Sequence, residues 1–169
     1  LIGLIAVKVP GVGVTVNGAA RWLALGPITI QPSEFAKVGT LLIVAAMLAT
    51  RKRPPGTVKE LLMPIGLVVG VVCALMMVQP DLGTTIAVCL MVFALLVVAG
   101  TKKSLLALVL SAGFVVGSLL IYAAPYRRDR FLAFLDPWSQ SADGAYQVVQ
   151  SMIAIGSGGI FGVGLGGSV

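Results

Sequence analysis

Residues 61–99 read LLMPIGLVVGVVCALMMVQPDLGTTIAVCLMVFALLVVA, two apolar runs separated by Gln79-Pro80-Asp81. Each run approaches the roughly 20 apolar residues that a helix needs to cross the hydrocarbon core of a bilayer. Pro and Asp between the runs are typical of a break followed by a new helix, because Pro and acidic residues favour the first helical turn. The stretch therefore predicts two successive membrane-spanning helices, at 61–78 and 82–99.

The composition of the whole chain also indicates a membrane protein. Of its 169 residues, 58% are hydrophobic and 11% are charged, whereas a soluble domain is about half apolar and a quarter charged. Further apolar runs predict helices at 34–50 and 104–124, and residues 1–9 resemble the tail of an earlier helix. We therefore predict an all-α polytopic membrane protein: a single membrane domain with about four full transmembrane helices, a partial one, and a large outer loop at 125–169. Since both ends of the sequence look like cuts, we expect a piece of a longer protein.

The basic residues predict the orientation of the helices. The net charge is +6, but Lys and Arg commonly flank membrane helices, so this charge does not indicate a nucleic-acid partner. The basic loops at 51–59 and 101–103 are separated by two spans and so lie on one face, which the positive-inside rule makes cytoplasmic. Residues 10–33, 79–81 and 125–169 are then expected on the outer face.

Neither the cysteines nor the glycine-rich segment indicates a cofactor. Cys73 and Cys89 lie in apolar runs without CxxC spacing, and the chain has no His, so we predict no metal site and two buried small hydrophobic side chains. The segment GSGGIFGVGLGG at 156–167 lacks the Gly-Lys-Ser/Thr of a phosphate-binding Walker loop. We expect it to be a flexible loop on the outer face.

Four polar motifs fall on the predicted outer face. They are NGAARW at 17–22, QPSEFAK at 31–37, QPD at 79–81 and YRRDRFLAFLDPW at 126–138. Each has a structural explanation by itself: helix starts for the two Gln-Pro motifs, an i, i+3 ion pair between Glu34 and Lys37, and anchoring at the membrane interface for the other two.

Together the four motifs predict a mostly cationic surface at membrane level. Charges at this depth are costly and commonly mark a substrate path. A suitable ligand is an anionic amphiphile such as a phosphate-bearing lipid, because Arg pairs well with phosphate. The candidate substrate-binding residues are Arg21, Trp22, Gln31, Glu34, Lys37, Gln79, Asp81, Arg127, Arg128 and Arg130.

These motifs resemble a known family. The segments NGAARWLALGPITIQPSEFAK, VQPDLGTT, YRRDRFLAFLDPW and GAYQVVQSMIAIGSGGIFGVGLGGS are similar, in order and spacing, to the SEDS family (shape, elongation, division, sporulation) of FtsW, RodA and SpoVE. The LDPW form and the Asn of NGAARW look more like the FtsW and SpoVE branch. The resemblance implies part of a ten-helix bundle and a peptidoglycan glycosyltransferase that polymerises lipid II, an undecaprenyl-pyrophosphate-linked disaccharide-pentapeptide. It implies the outer face of the bacterial cytoplasmic membrane as the place of reaction.

The resemblance also implies partners and a missing catalytic group. Expected partners are lipid II, a class B penicillin-binding protein, other division or elongation proteins, and membrane lipids, with no nucleic acid. The family's essential Asp is expected after Val169, and neither Asp136 nor Asp143 matches its position. We therefore expect this chain to be inactive alone. No cofactor is implied with certainty; cationic side chains or a divalent cation would stabilise the departing pyrophosphate.

Within this reaction we expect Arg21, Lys37 and the 127–130 cluster to stabilise pyrophosphate, with Glu34 and Asp81 shaping the groove. Two other functions would use the same features. A lipid II flippase would move lipid across vesicles without making polymer. A non-catalytic division scaffold would lose co-purification with its partner after changes on a lipid-facing stripe, while polymerisation would persist.

Overall fold

The computed structural model describes residues 1–9, 12–16, 19–25, 28–138, 145–159, 162–164 and 166–167. They fall into two compact units, Leu1–Ala112 and Gly113–Val169. The strands are β1 (Gly13–Val16), β2 (Ala19–Leu25) and β3 (Ile28–Ile30). The helices are α1 (Ile2–Ala6), α2 (Pro32–Ala49), α3 (Val58–Leu61), α4 (Leu67–Val78), α5 (Leu82–Val98), α6 (Lys103–Tyr122), α7 (Pro125–Leu135) and α8 (Tyr146–Gly158).

Much of the helical surface is suited to lipid. Three helical segments of the described chain, Pro32–Ala49, Val58–Val78 and Lys103–Tyr122, are long and apolar enough to cross a membrane, and α5 is a shorter apolar helix. Their outward side chains are large and apolar; Val98 is 84% exposed and Phe114 is 76% exposed. Apolar surface of this extent is typical of contact with a membrane or a partner rather than with water. The predicted helical, polytopic membrane fold is confirmed.

The second span bends near its start. A π-helical turn, Leu62–Gly66, separates α3 from α4, and Met63 within it has the non-helical angles φ −113° and ψ 113°. The next residue, Pro64, has no backbone N–H and cannot continue the helical hydrogen-bond ladder. The run predicted as one helix from residue 61 is therefore built from two helical pieces.

The core of the first unit forms where α2, α4 and α5 meet. Along α4 and α5 the buried side chains recur every three or four residues, which places them on one face of each helix. Because lipid is as apolar as these side chains, close packing rather than removal from water stabilises the contact. The buried cluster contains Val44, Leu61, Ile65, Val72, Met76, Val88, Val92, Leu96 and Leu105.

A glycine ends α5 and turns the chain toward α6. Gly100 has φ +76°, in the left-handed region that glycine adopts without steric cost. The N–H of Thr101 donates to the carbonyl of Leu96 at 3.1 Å, and the N–H of Gly100 donates to the carbonyl of Val97 at 3.0 Å. These are the two bonds of a Schellman motif, which satisfies carbonyl groups left over at the helix end.

A small sheet occupies the stretch expected to be an outer loop. The strands pair in the order β1-β2-β3, antiparallel throughout. The stretch is rich in Val, Thr and Ile, which favour strands, but its runs of three to seven residues are too short to be recognised from apolar length. The sheet matters for the site because β2 packs against α2. Asn17 of the NGAARW motif lies outside the described residues.

The second unit holds α7 and α8. Pro125 occupies the first turn of α7, where its missing N–H costs nothing. Three buried residues, Ala133, Ala145 and Val149, form a small cluster between the two helices. Because α8 continues through Gly158, the first part of the glycine-rich segment is helical and the prediction of a loop from residue 156 is wrong there. Asp143 lies outside the described residues.

Candidate functional site

Arg21 joins the sheet to the turn between α4 and α5. Its Nε donates to the carbonyl of Gln79 at 3.2 Å, and its Nη2 donates to the carbonyl of Pro80 at 2.7 Å. Both carbonyls lie just after α4, at the end where a helix carries partial negative charge and carbonyls without a helical partner. The two bonds use two of the five N–H donors of the guanidinium. Arg21 is therefore a structural bridge that retains donors for an anion.

Gln79 is fully buried beneath this bridge. Its Nε2 donates to the carbonyl of Leu4 at 2.8 Å, which ties α1 to the turn. Its Oε1 and the hydroxyl of fully buried Ser33 have no hydrogen-bond partner among the described residues. Since buried polar atoms normally have a partner, both retain unused hydrogen-bonding capacity inside the protein. Ser33 was not predicted as a site residue; the only signal in the sequence was its place within the QPSEFAK motif.

Asp81 begins α5 and is 6% exposed. Its Oδ1 accepts the backbone N–H of Thr84 at 3.1 Å, and its Oδ2 accepts the Thr84 hydroxyl at 2.7 Å. An N-cap of this kind satisfies one of the free N–H groups at the helix start, and the helix dipole stabilises the negative charge. The carboxylate therefore shapes the turn from within the protein.

We expect Asp81→Asn to leave the thermal stability nearly unchanged, because an Asn oxygen can still accept the Thr84 N–H. Asp81→Ala removes the cap and should lower the free energy of unfolding by about 1 kcal/mol. Thermal unfolding in detergent, followed by tryptophan fluorescence, measures the difference. Equal losses in the two variants would contradict the capping role.

An apolar groove of about 620 Å³ lies in the first unit, and the turn residues 79–81 do not line it. Its volume is within the range of ligand pockets, about 300–1,000 Å³. The groove and the polar turn share α1, because Gly3 lines the groove and the neighbouring Leu4 accepts the Gln79 bond. Its lining comes from α1, β2, β3, α2 and α4 and comprises Leu1, Gly3, Leu23, Ile30, Pro32, Phe35, Ala36, Gly39, Thr40, Ile43, Leu67, Val68, Val71 and Val72.

The close approach of α1 to α2 depends on Gly3. A Cβ at this position would lie 3.1 Å from the Cβ of Pro32, closer than side-chain carbons normally pack. With glycine, α1 rests directly on the start of α2 and closes one end of the groove. The groove and the Gln-Pro motif of α2 are therefore parts of the same packing arrangement.

Glu34 and Lys37 bond to each other and lie outside the groove lining. The Nζ of Lys37 is 2.8 Å from Oε2 of Glu34, with the side chains 23% and 54% exposed. The predicted ion pair is confirmed. The residues of α2 that line the groove recur every three or four positions and so occupy one face of the helix. Glu34 and Lys37 lie on a different face of α2 and do not line the groove.

Gln31 and Trp22 complete the predicted residues of the first unit. Gln31 precedes α2 as its N-cap residue, without a side-chain capping bond. Trp22 lies opposite Val14 in the sheet and is half-buried. The pairing passes over Arg21, since Val14 lies opposite Trp22 and Thr15 lies opposite Ala20, so Arg21 is the extra residue of a β-bulge in β2. The structure thus brings together Arg21, Gln79 and Asp81.

Two of the three candidate arginines of the second unit have partners within it. The Nη1 of Arg127 donates to the carbonyl of Leu120 at 2.9 Å. The guanidinium carbon of Arg130 lies 4.8 Å from the ring centre of Tyr126, a cation–π contact. Arg128 is exposed. These contacts support the local structure of α7, and the role of the three arginines toward a substrate stays a prediction.

The two cysteines face each other between α4 and α5. Their Sγ atoms are 3.8 Å apart and both thiols are free. Cys73 is half-buried, but Cys89 is exposed, so the prediction that both are buried is wrong for Cys89, which lies at the helix surface. Within the described ranges, no three His, Cys, Asp or Glu side chains come together as a group that could hold a metal ion.

The chain matches the family model of FtsW, RodA and SpoVE, described as a cell cycle protein, over residues 1–169. It is 39% identical over 166 residues to the probable peptidoglycan glycosyltransferase FtsW of Saccharophagus degradans, covering 98% of this chain and 43% of the relative. It is 42% identical over 170 residues to the protein of the same name in Aromatoleum aromaticum, covering 98% of this chain and 40% of the relative. The chain thus spans less than half the length of these relatives.

Solved structures share the fold. One is a chain of a peptidoglycan synthase complex, solved to show the structural coordination of polymerization and crosslinking. It matches with a TM-score of 0.70 and 38% identity, over 94% of this chain and 47% of that chain. The rod shape determining protein RodA of Thermus thermophilus matches with a TM-score of 0.55 and 27% identity, over 90% of this chain and 52% of that one. Because the family model covers every residue of the sequence, the chain belongs to the FtsW, RodA and SpoVE family of multi-pass membrane proteins.

Proposed function

We propose that the chain forms part of a peptidoglycan glycosyltransferase that polymerises lipid II on the outer face of the bacterial cytoplasmic membrane. The observation that carries the proposal is that α1 connects an apolar groove to the polar turn of Arg21 and Gln79. Lipid II combines a long apolar chain with an anionic pyrophosphate and sugars, so it needs both surfaces side by side. The relatives, which are named probable peptidoglycan glycosyltransferases, support the reaction class.

In the proposed reaction the groove holds part of the undecaprenyl chain and the polar turn lies near the head group. An acceptor hydroxyl attacks the sugar carbon with inversion, the bond from that carbon to pyrophosphate breaks, and a carboxylate takes the hydroxyl proton as general base. As the resemblance to the family implies, we place that carboxylate after Val169; within the described residues, the Asp81 carboxylate is bonded to Thr84 and that of Glu34 to Lys37. The remaining donors of Arg21 would stabilise the departing pyrophosphate.

We further propose a crosslinking partner of the class B penicillin-binding type. The support is the similarity to a component of a peptidoglycan synthase complex that coordinates polymerization and crosslinking. The large apolar surfaces of the helices, such as that around Phe114, provide area on which a membrane-spanning partner can pack.

A hybrid protein tests the proposal directly. Residues 1–169 replace the matching segment of the Saccharophagus degradans relative, and the purified hybrid receives lipid II in detergent. We expect glycan polymer on a gel from the hybrid and from the unaltered relative, and none from the 169-residue chain alone.

A hybrid that elutes as a single folded species and makes no polymer, beside an active relative, would contradict the proposal. Movement of lipid II across vesicles by that hybrid, still without polymer, would favour the flippase.

A further inference from the structure

A second cavity, of about 310 Å³, lies at the other ends of α2 and α5. One wall is apolar, and the small side chains of Ala45, Ala49 and Ala99 leave the space that larger residues would fill. The other wall comes from the loop after α2 and carries three consecutive basic residues. The remaining lining residues are Leu48, Arg51, Lys52, Arg53, Pro54, Leu95 and Val98.

The basic wall is largely uncompensated. Nη2 of Arg51 donates to the backbone carbonyl of Glu60 at 2.8 Å, which orients the guanidinium without neutralising it. Nη2 of Arg53 is 4.0 Å from Oε1 of Glu60, and the Arg53 side chain is 84% exposed, so this pair is weak. The other oxygen of Glu60 accepts the N–H of Gly56 at 2.9 Å. Among the described residues, the Glu60 carboxylate is the one that forms an ion pair with this wall, and it does so with Arg53.

The position of the cavity matches the level of lipid head groups. The apolar helices α2 and α5 end at Ala49 and Val98, and the basic residues begin two positions after α2. Val98 is 84% exposed and Leu90, two turns earlier on α5, is 58% exposed, so an apolar track leads from the cavity along the helix. Basic pockets between membrane helices at this level suit anionic head groups.

We propose that this cavity binds one anionic diacyl phospholipid, with its phosphate between Arg51, Lys52 and Arg53 and an acyl chain along α5. A volume of 310 Å³ is at the small end for ligand pockets, which suits a phosphate and its glycerol, while the chains lie on the exposed apolar track. The bound lipid would fasten the loop after α2 to the ends of both helices. This inference requires only that the helices lie in a membrane, and it is independent of the glycosyltransferase proposal.

Native mass spectrometry of the hybrid protein in non-ionic detergent, titrated with phosphatidylglycerol or phosphatidylcholine, tests the proposal. We expect one tightly bound phosphatidylglycerol and markedly weaker phosphatidylcholine. Each basic residue close to the bound head group contributes about a factor of five to its binding, and the attraction falls off with distance. The double variant Lys52→Gln/Arg53→Gln should therefore bind phosphatidylglycerol about tenfold to thirtyfold more weakly.

Two further variants separate the pocket from general charge. Lys59→Gln/Lys103→Gln removes the same charge from residues outside the cavity lining and should weaken binding less than about threefold. Ala49→Leu keeps every charge but fills the apolar wall, and it should weaken binding about tenfold while circular dichroism stays unchanged.

Three results would overturn the proposal. Equal losses of phosphatidylglycerol affinity in the two double variants would mean that the lipid is attracted by the overall positive charge and not by the cavity. Equal affinity for phosphatidylcholine would remove the role of the anionic head group. Competition by glycerol 3-phosphate at the same concentration as phosphatidylglycerol would mean a simple phosphate site without a lipid.

Discussion

Arg21→Ala is expected to lower lipid II polymerisation by the hybrid protein about a hundredfold. The substitution removes the two bonds that hold β2 to the turn after α4, and bonds from a charged donor are worth about 1.5–3 kcal/mol each at most. A shift of about 1 Å in groups that position a substrate can by itself cost a hundredfold in rate. Initial rates with labelled lipid II measure the loss.

Two further variants show whether the loss of activity is specific to the Arg21 guanidinium. Arg21→Lys keeps the charge but loses the fork that reaches both carbonyls, so it should recover only a small part of the activity. Lys103→Ala, an exposed basic residue at the start of α6, should keep the activity of the unaltered hybrid. Full activity of a stably inserted Arg21→Ala protein would contradict the assignment of Arg21 to the site.

Gln79→Met is expected to lower the free energy of unfolding by about 1–3 kcal/mol, because it leaves the carbonyl of Leu4 without its donor. Met has a similar volume, so the change removes the hydrogen bond while largely keeping the packing. Since the bond joins residues 75 positions apart, its loss should release α1 before the other helices. Hydrogen exchange at the amides of Ile5 and Val7 should speed up first.

Gln147→Met is the matched control. Gln147 is exposed on α8 in the second unit, so the same chemical change should alter stability by less than about 0.5 kcal/mol. Similar losses at the two positions, or uniform exchange along the chain, would mean that the buried Gln79 bond does not hold α1.

Part of the fold could be predicted because a helix in lipid satisfies its own backbone hydrogen bonds. Length and hydropathy of a run are then sufficient, as at Leu82–Val98, where Asp81 and Gly100 mark the two ends. The sheet at 13–30 could not be predicted in this way, because a strand's hydrogen bonds depend on a neighbour that hydropathy does not reveal. The kink at Met63 was likewise missed, although Pro64 was its visible cause.

The membrane helices, the breaks between them and the Glu34–Lys37 pair follow from local sequence, because each depends on residues within one apolar run or one helical turn. The contacts of the other polar residues of the site depend on how the helices and the sheet pack. Arg21 and Gln79, 58 positions apart, meet because the sheet folds back onto the helices, and their hydrogen bonds go to backbone carbonyls that no motif specifies. Spacing along the chain encodes local pairs, but contacts to distant backbone atoms arise only when the helices and the sheet have packed.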